Sequence, residues 1–134
     1  MKHFKTIFLT GTFLMIMSAT FFISGCEEDD PVDEVICTEE FRRIGVKVTG
    51  GELDDFYTLR ISNGDTIRFS QDVYPMVNWY PILDDSYQPV LEGTVEDFMF
   101  VGVKDGNPVI QQNYEIGADP CHIFRQSGPQ SIAL

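Results

Sequence analysis

His122, which follows Asp119-Pro120-Cys121, is the only histidine beyond residue 3. An imidazole acts as a general base only with a nucleophile and an orienting acid beside it. Ser86 and Ser127 are available, but neither stands in a Gly-x-Ser-x-Gly elbow. A zinc centre draws mainly on His and Cys, so one histidine argues against it. We therefore read His122 as a strand-edge residue and expect neither an enzyme nor a cofactor. Asp54-Asp55, Asp84-Asp85 and Glu96-Asp97 are acid pairs at turns. Calcium takes about six to eight oxygen ligands, yet the chain has no Asp-x-Asp-x-Asp-Gly loop, and adjacent acids on a strand point to opposite faces. As glycosidase acids they would need matched spacing across a cleft. They read as solvated turn residues, and no metal site is expected. Tyr74, Trp79, Tyr80 and Tyr87 crowd into fourteen residues. On a Pro-stiffened loop they could stack on the flat apolar face of a sugar or grip a protein partner. For Trp79 the first reading is a plug at the end of the core, and the second is part of that platform.

The three cysteines pose an odd-number problem that Cys26 resolves. Lys2 and Lys5 precede a charge-free run over residues 6–22, and Ile23-Ser24-Gly25-Cys26 closes it. That order has the parts of a secretory signal peptide. Its last four residues resemble the lipobox of bacterial lipoproteins, whose cysteine is acylated and becomes the N-terminus after cleavage. The resemblance implies a signal peptide over 1–25 and lipid on Cys26, which would hold the chain to a membrane without a spanning helix. Two readings compete with it. One is a short transmembrane helix, for which about 17 apolar residues is the lower limit. The other is a cleaved secretory protein without lipid. With Cys26 acylated, Cys37 and Cys121 remain as a pair in an oxidising compartment, where a disulfide is the default. A bridge that long contributes up to about 4–5 kcal/mol on the chain-entropy model.

All 21 acidic residues lie beyond Cys26, and with Lys2 and Lys5 in the leader only seven basic residues do, a mature net charge of −14. Such a surface repels polyphosphate, so nucleic-acid binding is excluded. Residues 26–36 begin with six acids within 27–34 and read as an extended tether. The acidic run after the cysteine resembles the export signal of Bacteroidetes-type surface lipoproteins. It implies a location on the outer membrane, exposed at the cell surface.

Over 37–134 the pattern that must position the candidates is β. Ile44, Val46 and Val48 alternate with polar neighbours, as do Tyr57, Leu59 and Ile61, and then Ile67 and Phe69. Asn63-Gly64 marks a hairpin. Pairing Ile61 with Ile67 and Leu59 with Phe69 puts apolar side chains on one face, and predicts a three-residue loop or a bulge including Asp65. Residues 73–83, broken by Pro75 and Pro81, predict an irregular crossing with a short strand near Ile82-Leu83. A further short strand is expected over 89–91. The apolar run 98–103 predicts the most enclosed strand. Residues 109–116 return the chain after Asp105-Gly106-Asn107-Pro108, and 122–125 and 131–134 end it. The expectation is an all-β domain, a small β-sandwich of about seven short strands. Phe41-Arg42-Arg43-Ile44-Gly45-Val46-Lys47-Val48 with the following Gly pair resembles the first strand of carboxypeptidase-regulatory-like and transthyretin-like modules, which are small β-sandwiches. The whole reads as a lipid-anchored, non-catalytic envelope module that binds a glycan or protein partner. A spacer without ligand, and a hydrolase using His122, are the alternatives.

Overall fold

Alternation in residues 43–49 has the expected outcome: Arg43–Thr49 is strand β1, with Ile44, Val46 and Val48 buried and Arg43, Lys47 and Thr49 outside. It belongs to a computed structural model that describes residues 35–70 and 76–134. Cys26 and Tyr74 lie outside the described residues, as do the signal segment and the acidic run after it. Among the described residues no helix is long and apolar enough to cross a membrane.

The unit Val35–Leu134 is an all-β sandwich, with eight strands in two sheets among the described residues. The strands are β1, β2 (Asp55–Arg60), β3 (Thr66–Ile67), β4 (Trp79–Asp84), β5 (Val95–Lys104), β6 (Asn107–Ala118), β7 (Ile123–Ser127) and β8 (Ser131–Ala133). One sheet has the order β4-β1-β8 and the other β3-β2-β5-β6-β7. The apolar run 98–103 falls in β5, the middle strand of the larger sheet, where Phe98 and Phe100 are fully buried. Asp105 and Gly106, both with positive φ, form the two-residue turn into β6 that closes on Lys104 and Asn107.

The core lies between the sheets. Val46, Val48, Tyr80, Ile82 and Leu83 come from the smaller sheet, and Phe98, Phe100, Tyr114, Ile116 and Ile123 from the larger. Phe56 meets Tyr80 edge to face, with ring centroids 5.2 Å apart. Each such side chain contributes roughly 1.5–3 kcal/mol by leaving water.

Three local expectations are corrected. In β2 the buried parity is Phe56 and Thr58, not Tyr57 and Leu59, and Ile61 is exposed. Phe56 wins the inward position because its ring completes an aromatic contact with Tyr80 and Phe100. Thr58 follows it inward and donates its hydroxyl to the Ile82 carbonyl at 2.9 Å, so its polarity costs little. The hairpin register follows that face: Thr58 pairs with Ile67, and Arg60 N–H donates to the Asp65 carbonyl. The loop is therefore four residues, 61–64, rather than three. Finally, Gln88–Leu91 is a short helix, α1, not a strand. It follows a 3-10 turn, Asp85–Tyr87, whose Ser86 N–H is capped by the Asp84 carboxylate. Pro89 is compatible with a first helical turn, and Leu91 is fully buried.

Candidate functional site

Among the described residues, one concavity is built on a glycine within β1. Gly45 has no side chain to fill the space above it, and the Trp79 ring lies there. A Cβ at residue 45 would stand 2.1 Å from the ring carbon Cζ2. Lys47 and Trp79 are paired across β1 and β4, so Trp79 shares the outward face of Lys47 and Gly45, while the Val46–Tyr80 pair faces the core. Trp79 is half-buried on that outer face and does not plug the core.

Around this seat opens a hollow of about 380 Å³ lined by Arg43, Ile44, Gly45, Trp79, Arg125 and Gln130. Its position follows from the strand lengths. Lys47 N–H donates to the Gln130 carbonyl just ahead of β8, so Gly45, two residues earlier, presents its backbone to the same side, where β8 has not begun. Arg125 of β7 reaches across and donates Nη2–H to the Gly45 carbonyl. Two register shifts aim these groups, one between Ile44 and Gly45 against β4, the other between Glu115 and Ile116 against β7 beside Arg125. The Arg125 guanidinium also lies 5.6 Å from the Tyr114 ring centre, and its Nε is buried without a hydrogen-bond partner in the described residues. Carbonyl and ring are both uncharged. By contrast, Arg60 is forked onto Glu96 and Arg68 pairs with Asp55. The hollow thus concentrates guanidinium charge and an aromatic surface on an acidic protein.

Of the aromatic candidates among the described residues, Tyr80 and Tyr87 do not line the hollow with Trp79. Tyr80 is fully buried, and its hydroxyl accepts Leu53 N–H at 2.9 Å. Tyr87 is half-buried against the core, which pushes its phenol up from the usual value. Strand geometry separates the set, since residues 79 and 80 must point to opposite faces.

His122 stands directly before β7 and next to the bridged Cys121, and it is buried and has partners. Nδ1 lies 2.9 Å from Asp85 Oδ2, and Nε2 lies 3.0 Å from Thr38 Oγ1. An ionised carboxylate only accepts, so the nitrogen facing it, Nδ1, is the one that donates. Asp85 also accepts Arg42 N–H on Oδ2 and Ile123 N–H on Oδ1. Burial pushes the Asp85 carboxyl up, but these donors outweigh it and hold it below the ordinary carboxylate range. Asp119 Oδ1 accepts the N–H groups of His122 and Cys121, at 2.8 Å each, which lowers its pKa as well. The Cys37–Cys121 disulfide closes beside this network, with Cα atoms 5.2 Å apart.

A hydroxyl, an imidazole and a carboxylate in this order could in principle activate Thr38 as a nucleophile. Here the carboxylate is committed to two backbone N–H groups from different segments, and none of the three residues lines the hollow. The arrangement is a latch that fastens residues 38–42 to the turn after β4 and to the start of β7. No group of three or more potential metal ligands occurs among the described residues. The turn acids are occupied locally: Asp54 accepts Asp105 N–H, Asp55 binds Arg68, Asp84 caps Ser86, and Glu96 holds Arg60 and Ser62.

Sequence reasoning missed the hollow and the latch partners. Gly45 inside a strand was the available signal for the first, because such a glycine marks a bulge or a close approach. For the second, Thr38 and His122 each directly follow a bridged cysteine, so the pairing alone brings them together. No family model matches the chain, nor does any curated protein or solved structure.

Proposed function

We propose that this chain is a lipid-anchored, non-catalytic module of a bacterial envelope whose β-sandwich binds a ligand or partner through the outer hollow. The observation that carries this reading is Trp79, part-exposed on the Gly45 seat and flanked by Arg43 and Arg125. A tryptophan held there, rather than in the core, costs apolar burial that a binding surface would recover. Lipid on Cys26 and surface display come from the lipobox-like and acidic stretches of the sequence.

The test is capture from intact membranes with the anchored protein, comparing the native chain with Arg43→Gln and Trp79→Ala. The expected result is a companion molecule lost from both variants while their melting temperatures hold. Equal capture by all three would refute it. A second reading, a hydrolase, draws on the Thr38–His122–Asp85 contacts. Turnover of a simple ester that disappears in a folded His122→Ala variant would establish it instead.

A further inference from the structure

We propose that the outer face of the larger sheet docks a second protein, whose contacting surface joins apolar side chains to lysine or arginine. This surface is separate from the hollow, which is built around Gly45 of the smaller sheet. The first observation is apolar side chains where water is expected. An antiparallel sheet with one solvated face alternates apolar inside with polar outside. β5 breaks that rule. Phe98 and Phe100 turn into the core, and Met99, Val101 and Val103, which point the other way, are apolar as well. Leu59 pairs with Met99 and Tyr57 with Val101 across the ladder, so β2 widens the same patch. The described elements form two layers, and α1 sends Leu91 into the core, so none of them lies over this face.

A polar rim surrounds the patch. Gln111 and Asn113 of β6 stand exposed beside Val101 and Met99. At one end Arg68 lies 5.0 Å from the Tyr57 ring centre and pairs with Asp55. An apolar centre within a polar rim is the anatomy of a protein–protein interface. The second observation, charge, says what the partner carries. At the other end Asp97 stands directly opposite Glu115, and both are exposed. Like charges opposed across two strands are destabilising. Among the described residues neither of these side chains makes a hydrogen bond or an ion pair. Arg60 and Arg68 are already committed to Glu96 and Asp55. A cation brought by a partner would relieve the repulsion. The net charge of the chain, −12, attracts such a partner and repels a second copy. The occupant is therefore a basic protein and not this chain itself.

The experiment places the photoreactive residue benzoylphenylalanine at Gln111, on the rim, in the full chain anchored in its own membranes. A control chain carries it at Lys47, on the outer face of the smaller sheet. Irradiation is expected to join the Gln111 chain, and not the Lys47 chain, to a different protein. Mass spectrometry should place the link on a peptide with apolar residues and a lysine or arginine. Sodium chloride at about 0.5 M should lower the yield, because the charges lie at the surface. Asp97→Asn together with Glu115→Gln should lower it about tenfold. That double change also removes a repulsion, so the melting temperature should hold or rise, which separates lost docking from lost folding. Met99→Gln, in the apolar centre, should lower the yield as well.

No product overturns the proposal, as does a link between two copies or two segments of this chain, or an equal yield from Lys47. A yield that neither salt nor the double variant lowers overturns it too, and so does a linked peptide without a basic residue.

Discussion

Tyr114 shows how one side chain can tie a turn to the core and leave a signature in alkali. It is fully buried, and its hydroxyl donates to the Pro129 carbonyl at 3.0 Å, holding the turn between β7 and β8. Burial pushes its pKa up to about 12, against a small opposing pull from Arg125. The unfolded chain releases this proton near pH 10, so the contribution is complete below pH 10 and is lost as pH rises toward 12. Two pH units correspond to roughly 2–3 kcal/mol. Chemical denaturation between pH 9 and 12 should show that fall, and Tyr114→Phe should flatten it while costing about 1 kcal/mol at neutral pH. Asp85 has the opposite sign. Its folded pKa is lowered, so its contribution is present above the unfolded carboxylate value and disappears as pH falls through the folded one. Asp85→Asn should lose about 1–3 kcal/mol at pH 7, with a smaller penalty at pH 3. A penalty unchanged between the two pH values would show that the carboxylate charge is not what matters.

At the scale of elements, the readable parts were those where one interaction dominates. β1 and β5 follow from hydrophobic pattern alone, because one is half-buried and the other enclosed by neighbours on both sides. β2 misleads because both parities carry large apolar residues. Phe56 precedes the alternating run, and only the position of Tyr80 across the sandwich decides which face turns in. The same ambiguity shifted the hairpin register by three residues, since Ile67 pairs with Thr58 and not with Ile61. Pro81 lies inside β4 rather than before a shorter strand, which is allowed because β4 is an edge strand and Pro81 opposes Gly45 at the register shift. The N-terminal segment 37–42 belongs to no strand and is fastened by the disulfide and the Asp85–His122 latch. Replacing Cys37 and Cys121 together with Ala should cost about 2–5 kcal/mol by denaturant melting. If the latch holds independently, the Thr38–His122 contact survives in the double variant, and the histidine ring signals in NMR should move little.

For the whole molecule, the class of fold was legible and the place of the site was not. Short strands and frequent turns in about a hundred residues leave few architectures besides a sandwich. The hollow depends instead on a missing neighbour, since β8 covers Lys47 to Thr49 and stops short of Gly45. Length mismatch between strands has no local sequence pattern. Arg125 reaches the site from eighty residues away, guided by a bulge that no periodicity announces. The cysteine count was more telling, since the pairing expected once Cys26 is set aside is the one the fold closes. Cys26 itself is tested in the cell. Cys26→Ser should abolish lipid labelling and release or misdirect the chain, and normal membrane attachment in that variant would remove the lipoprotein reading.

The bridge between Cys37 and Cys121 also changes how the domain would carry a mechanical load. Suppose tension enters the chain ahead of Cys37 and is resisted by something seated against Arg125. Along the backbone those points are 88 residues apart, a contour of roughly 300 Å when fully extended. Through the disulfide only four residues, His122 to Arg125, separate Cys121 from the arginine, roughly 14 Å of chain. Force therefore passes by a covalent shortcut into β7 and leaves residues 38–120 enclosed in an untensioned loop. Arg125 would stay tethered to the pulling point even if β1, which carries Arg43 and Gly45 of the hollow, were peeled from its sheet.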